Sequence, residues 1–148
     1  MRFLGLDLGT RTLGIAVSDR TNTIASPLKT IRFKESEYTS VIPELKSIVM
    51  EKGITDFVLG LPKNMNNSLG FASERSLNFK KLLEDNFTLP VHLVDERLTT
   101  VEAENILLMS DHSRKKRKKV IDNVASSLIL DTYLKGRIEN ERRKTNNE

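Results

Sequence analysis

The chain has no cysteine and no tryptophan among its 148 residues, only two tyrosines and six phenylalanines, and no apolar run long enough to cross a bilayer. Each absence removes a class of protein. Without cysteine there is no disulfide framework, thiolate zinc site or cysteine nucleophile, and nothing points to an oxidising compartment. With neither a spanning run nor a signal-like opening stretch, a cytoplasmic location and no membrane partner are expected. The length suits one domain with a real core and is too short for two lobes closing on a ligand.

Charge is present and uneven. Lysine and arginine outnumber aspartate and glutamate by 24 to 20. The excess sits late, in Arg114-Lys115-Lys116-Arg117-Lys118-Lys119 and around Arg142-Arg143-Lys144. A basic patch of this kind favours a polyanionic partner. Six cations at the start of a helix oppose the helix dipole, and phosphates would relieve that conflict. The plainer alternative is a solvated, solubilising loop. No aromatic residue interleaves these cations, so the run itself does not indicate stacking on single-stranded bases.

Periodicity gives a coarse map. Leu4, Leu6 and Leu8 alternate with Phe3, Gly5 and Asp7, then Leu13, Ile15 and Val17 alternate with small residues. This predicts a hairpin turning at Gly9 and Thr10, followed by a third strand from about Ile24 to Phe33. Val41, Leu45, Ile48 and Val49 predict a helix, and Phe57-Val58-Leu59 a strand ending at Gly60. A polar loop leads to a second helix carrying Leu77, Leu82 and Leu83, and Pro90 opens a strand through Val91, Leu93 and Val94. Thr99 and Glu102 form a capping box, so a helix is predicted directly after Asp95-Glu96-Arg97. The last helix is predicted from about Lys116 to Arg137, on a stripe of Ile121, Val124, Ala125 and Leu128. Residues 1–137 are expected to form the domain and 138–148 a polar tail, frayed or disordered.

Against this map three acids stand out: Asp7, Glu96 and Asp122. Each lies in a segment that otherwise reads as framework, where a lone carboxylate is costly unless paired or bound to a cation. Convergence on one divalent-metal site explains all three together. Taken singly, each has a simpler explanation. Asp7 can satisfy turn amides near Gly9, and Glu96 can pair with Arg97 or Arg11. Arg11 has equal claims as a phosphate contact and as an ion-pair partner, and the Thr99 and Thr100 hydroxyls read as helix caps. His92 reads as packing and His112 as surface.

The order β-β-β-α-β-α-β-α-α with an acid on the first strand resembles the ribonuclease H-like superfamily. Four segments in order are similar to the YqgF family, whose members are described as Holliday junction resolvases and as pre-16S rRNA nucleases. They are Asp7-Leu8-Gly9-Thr10-Arg11-Thr12-Leu13-Gly14-Ile15-Ala16-Val17-Ser18-Asp19, Gly60-Leu61-Pro62-Lys63-Asn64-Met65-Asn66-Asn67-Ser68, Asp95-Glu96-Arg97-Leu98-Thr99-Thr100, and Lys119-Val120-Ile121-Asp122-Asn123-Val124-Ala125. Asn66 and Asn67 stand where the family usually has aspartate and glycine, and Ser126 where it often has a second alanine.

The resemblance implies an α/β fold with a five-stranded mixed sheet flanked by helices. It implies a nuclease, with Asp7, Glu96 and Asp122 as catalytic ligands of Mg2+ or Mn2+. Arg11, Arg97, Arg114, Lys115, Lys116, Arg117, Lys118 and Lys119 would be the nucleic-acid contacts. The substrate would be an rRNA precursor or a branched DNA, with a homodimer and ribosome association left open. Two other functional readings remain. One is an actin-like ATPase or sugar kinase, since Asp-Leu-Gly-Thr also resembles that phosphate loop, although one lobe is too few. The other is a nucleic-acid-binding factor with no catalysis.

Overall fold

The computed structural model describes residues 1–62, 70–96 and 114–146, with side chains described to 96 and from 125 to 142. Three strands open the chain, β1 (Phe3–Leu8), β2 (Thr12–Ser18) and β3 (Ala25–Arg32). A short 3-10 turn (Tyr38–Val41) leads into α1 (Ile42–Lys52), β4 (Asp56–Leu61), α2 (Phe71–Asn86) and β5 (Val91–Asp95). A long helix, α3 (Arg114–Asn146), ends the described chain. The strands form one sheet in the order β3-β2-β1-β4-β5, antiparallel from β3 to β1 and parallel from β1 to β5. This is the five-stranded mixed sheet expected from the sequence.

Alternation along β1 sorts its residues between two layers. Leu4, Leu6 and Leu8 join Leu45, Ile48, Phe79 and Leu83 in the larger core, beneath α1 and α2. Phe3 belongs to the smaller core on the opposite face, with Val58, Val94, Ile129, Leu130 and Leu134. There α3 lies across the sheet, close enough that a Cβ on Gly5 would come within 2.8 Å of the Leu130 Cβ and 3.0 Å of the Ser126 carbonyl oxygen. Glycine at position 5 is what lets that helix settle on the strand.

α1 has Pro43 in its first turn and ends at Gly53, a left-handed C-cap at φ 64°. α2 differs from its hydropathy pattern. Its fully buried positions are Ser73, Ser76, Phe79 and Leu83, whereas Leu77 is only half-buried. Two small serines allow close approach to the sheet, and the Ser73 hydroxyl donates to the Pro62 carbonyl just past β4. α3 also runs further than its apolar stripe, continuing past Arg137 to Asn146. Good helix formers and the Arg137–Glu141 pair at i,i+4, 3.4 Å apart, support that extension. The helix predicted after Glu96 lies outside the described residues.

At the end of the sheet where β1 begins, His92 Nε2 lies 2.9 Å from Asp56 Oδ2 and its ring stacks on Tyr133 at 4.9 Å. Phe3 packs edge-on to Tyr133 at 5.4 Å, with the Arg137 guanidinium over its ring at 5.0 Å. His92 is therefore packing, as expected, with one polar tie added. Asp19, the last residue of the opening motif, also lies at this end. The Thr21 hydroxyl, then the Ile24 and Thr23 amides, hold its carboxyl well below the usual carboxylate range. It shapes the β2–β3 turn, at the opposite end of the strands from Asp7 and Glu96.

Candidate active site

Three strand rows run side by side on the face that α3 covers: Phe3-Gly5-Asp7, Asp56-Val58-Gly60 and His92-Val94-Glu96. Register fixes their alignment, since Leu6 pairs with Leu59 in β4, and Gly60 with Val94 in β5. Asp7 directly follows Leu6, and Glu96 lies two residues past Val94. The Glu96 amide donates to the Leu61 carbonyl at 3.2 Å, holding the residue just past the end of β5. Both acids thus stand at the carboxyl ends of parallel strands, the edge where open α/β sheets bind ligands.

Gly60 lies between them. A Cβ at that position would run into the Glu96 carboxylate and come within 2.6 Å of Ile129 Cδ1. The missing side chain is the space that the Glu96 carboxylate occupies. Its Oε1 is buried. Burial, then the charge of Asp7 and a hydrogen bond with it, raise the Glu96 carboxyl from 4.5 to about 9, against the opposing charge of Arg75. At neutral pH the metal-free pair therefore holds one proton, donated by Glu96 to the Asp7 carboxylate.

That shift has a consequence for stability. Unfolded chains lose this proton above about pH 4.5, whereas the folded protein keeps it until about pH 9. Glu96 therefore erodes the stability of the metal-free protein progressively across that window and has no such effect below it. Thermal melts in chelator from pH 5 to 9 should show a decline that is clearly shallower in Glu96→Gln. Equal pH slopes in the two proteins would contradict the buried, protonated assignment.

The third acid is approached through the helix that carries it. Ser126 and Leu130 lie over Gly5 in the β1 row, and Leu134 lies with Phe3 in the same core. One helical turn further back from Ser126 is position 122, so the backbone register carries Asp122 toward the end of β1 that bears Asp7. Its side chain, with those of Arg114, Lys115, Lys116, Arg117, Lys118 and Lys119, lies outside the described residues. The backbone of the six cations forms the first two turns of α3, where there is no acidic residue. Arg97 and the loop with Asn66 and Asn67 are also outside the described residues, as are Thr99, Thr100 and His112.

Arg11 sits in the β1–β2 turn, at the Asp7 end, and pairs with Glu35 at 3.4 Å; both side chains are well exposed. It does not pair with Glu96. Sequence reasoning singled out neither Gly60 nor Arg75 for the site. Gly60 had a signal, a glycine closing a strand beside a motif, but its reason is a contact with residues far along the chain. Arg75 had none, because an arginine on a helix is ordinary until the fold brings it near a carboxylate.

A five-stranded sheet in this order, with two acids at the carboxyl edge of its parallel strands, is a ribonuclease H-like architecture. A family model described as "Holliday junction resolvase", RuvX, matches residues 1–136. A protein of Pediococcus pentosaceus described as "Putative pre-16S rRNA nuclease" is 50% identical over 137 residues, covering 92% of this chain and 94% of that one. A protein of Leuconostoc mesenteroides with the same description is 53% identical over 135 residues, covering 90% and 94%. Among solved structures, Thermus thermophilus RuvC in complex with a Holliday junction substrate superposes with a TM-score of 0.60 at 15% identity, covering 94% of this chain and 96% of that one. The fowlpox virus Holliday junction resolvase does so at 0.51 and 15%, covering 92% and 99%. The chain belongs to the RuvX family, the same family as YqgF, and is a nuclease acting on nucleic acid. That membership sets aside the kinase reading. Among the described residues no helix is long and apolar enough to cross a membrane.

Proposed function

We propose that this protein is a divalent-cation-dependent endonuclease that processes the 5′ end of pre-16S rRNA during ribosome biogenesis. The observation that carries the catalytic part is the Asp7–Glu96 pair, in which the Glu96 carboxyl, buried over Gly60 and beside Asp7, keeps its proton. Such a pair fits a hard cation, because an ion with oxygen ligands, Mg2+ or Mn2+, replaces the shared proton and removes the repulsion. Asp7 and Glu96 would hold the cation, with Asp122 as the third ligand from α3. When bound, it supplies polarisation of the phosphodiester and an acidified water.

The chain's own groups do the rest. Arg11, in the β1–β2 turn, and Arg97 would contact phosphates, and the cations of 114–119, at the start of the helix that carries Asp122, would bind the nucleic-acid backbone. The rRNA substrate rests on the names of relatives at about half identity. The family description favours a second reading, a resolvase acting on branched DNA, which would call for a homodimer to make paired cuts. Ribosome association belongs to the first reading only.

The deciding assay places a labelled RNA carrying an unprocessed 16S leader beside a four-way DNA junction, with Mg2+, Mn2+ or chelator. Metal-dependent cutting of the RNA leader is expected. Cutting of the junction alone would transfer the assignment to the resolvase, and binding without cutting of either would leave a binding factor. Replacing Lys115, Lys116, Lys118 and Lys119 by glutamine should lower the slope of log affinity against log salt by roughly 2–3. An unchanged slope would remove the run from the interface.

A further inference from the structure

Of the six phenylalanines, Phe3, Phe57 and Phe79 are fully buried, and Phe33 and Phe87 pack against the larger core. Phe71 is 89% exposed. A single exposed apolar side chain is common on protein surfaces, so exposure alone says little. Its position says more. Phe71 is the first residue of α2, two before Ser73, whose hydroxyl ties that turn to the Pro62 carbonyl. Pro62 directly follows Leu61, the residue whose carbonyl receives the Glu96 amide. The exposed ring therefore stands at the same sheet edge as Asp7 and Glu96.

Arg75 follows Phe71 by four residues, one turn along the same flank of the helix. It is half-buried, two residues past Ser73, whose hydroxyl fixes this turn beside Pro62 at the end of β4. An aromatic face and a cation one turn apart, beside a phosphodiester-cutting site, complement the two parts of a nucleotide. A ring stacks on a base of any identity, and a guanidinium receives phosphate.

We propose that Phe71 and Arg75 together hold an unpaired nucleotide next to the scissile bond, Phe71 against its base and Arg75 against its phosphate. The inference rests on the nuclease reading and narrows it. The chain takes a substrate that is single-stranded, or opened, at the cut. A base inside a duplex is already stacked on both sides and offers no face to the ring.

The test uses the full chain bearing Asp7→Asn, so that RNA is bound and left uncut, with 2-aminopurine placed at successive positions of the leader RNA. Binding should quench the probe at one position. The quench should vanish with Phe71→Ala and Phe71→Leu and survive with Phe71→Tyr. With Asp7 restored, Phe71→Ala should lower kcat/KM by roughly tenfold or more on the intact RNA. It should have little effect on RNA made abasic at the quenched position, and Arg75→Gln should weaken both substrates alike. Persistence of the quench in Phe71→Ala, no quench at any position, or an equal loss on intact and abasic RNA would overturn the proposal. Cleavage by the wild-type chain, scored separately, reports on the nuclease reading itself.

Discussion

Asp7→Asn should abolish cleavage and at the same time make the metal-free protein more stable. If Asp7 is the central carboxylate ligand proposed above, its removal should cost on the order of a thousandfold or more in kcat, since outer-shell partners of a metal alone cost ten- to a hundredfold. The gain in stability has the same origin. Asp7 lies against buried Glu96, whose carboxyl it helps to hold in the protonated form. An amide accepts a hydrogen bond without the charge, so relief of about 1–2 kcal/mol should raise the melting temperature by about 3–6 °C in chelator. A purely structural Asp7, capping the turn at Gly9, gives the opposite sign, because its loss would lower stability. Calorimetry or circular-dichroism melts in chelator, run beside the cleavage assay, read both effects from one preparation.

Gly60→Ala should damage the protein through a single methyl group. The new Cβ meets the Glu96 carboxylate and comes within 2.6 Å of Ile129 Cδ1, in a region where neither strand nor helix can yield easily. Overpacking of this kind costs about 1–3 kcal/mol, or about 3–9 °C in melting temperature. Glu96 is the softer neighbour and would swing away, and a displacement of about 1 Å at a catalytic group can cost a hundredfold in rate. Gly136→Ala supplies the contrast. Position 136 lies within α3 with no neighbour within 4 Å of an added Cβ, so alanine there should stabilise by about 0.5–1 kcal/mol. If Gly60→Ala melted and cleaved like the wild type, Gly60 could not be the space that holds Glu96.

Much of this architecture is legible in the residues, and the parts that are not share a physical cause. Alternation in Phe3–Leu8 places Asp7 on the face opposite Leu4, Leu6 and Leu8, and a strand before Glu96 follows from Pro90 and the apolar residues behind it. Such patterns are local, so a single chain displays them. Gly60, Arg75, Ser73 and Ser76 owe their roles to partners elsewhere in the chain. Hydropathy assigns the buried side of α2 to leucines, and Leu83 is buried there with Leu82 packed against the core, but the rest of that side is Ser73, Ser76 and Phe79, where small side chains let the layers close. The cations of 114–119 have no aromatic residue among them. The exposed Phe71 ring lies in α2, at the same sheet edge as Asp7 and Glu96 and more than forty residues before those cations.

In the proposed mechanism Asp7 and Glu96 trade a shared proton for a divalent cation. Titration calorimetry with Mn2+ near pH 7, repeated in buffers of different ionisation enthalpy, counts the protons released on binding. The wild-type chain should bind the ion with release of about one proton, Glu96→Gln should bind more weakly with almost none, and Asp7→Asn should scarcely bind. Binding without proton release in the wild type, or undiminished binding in Asp7→Asn, would contradict it.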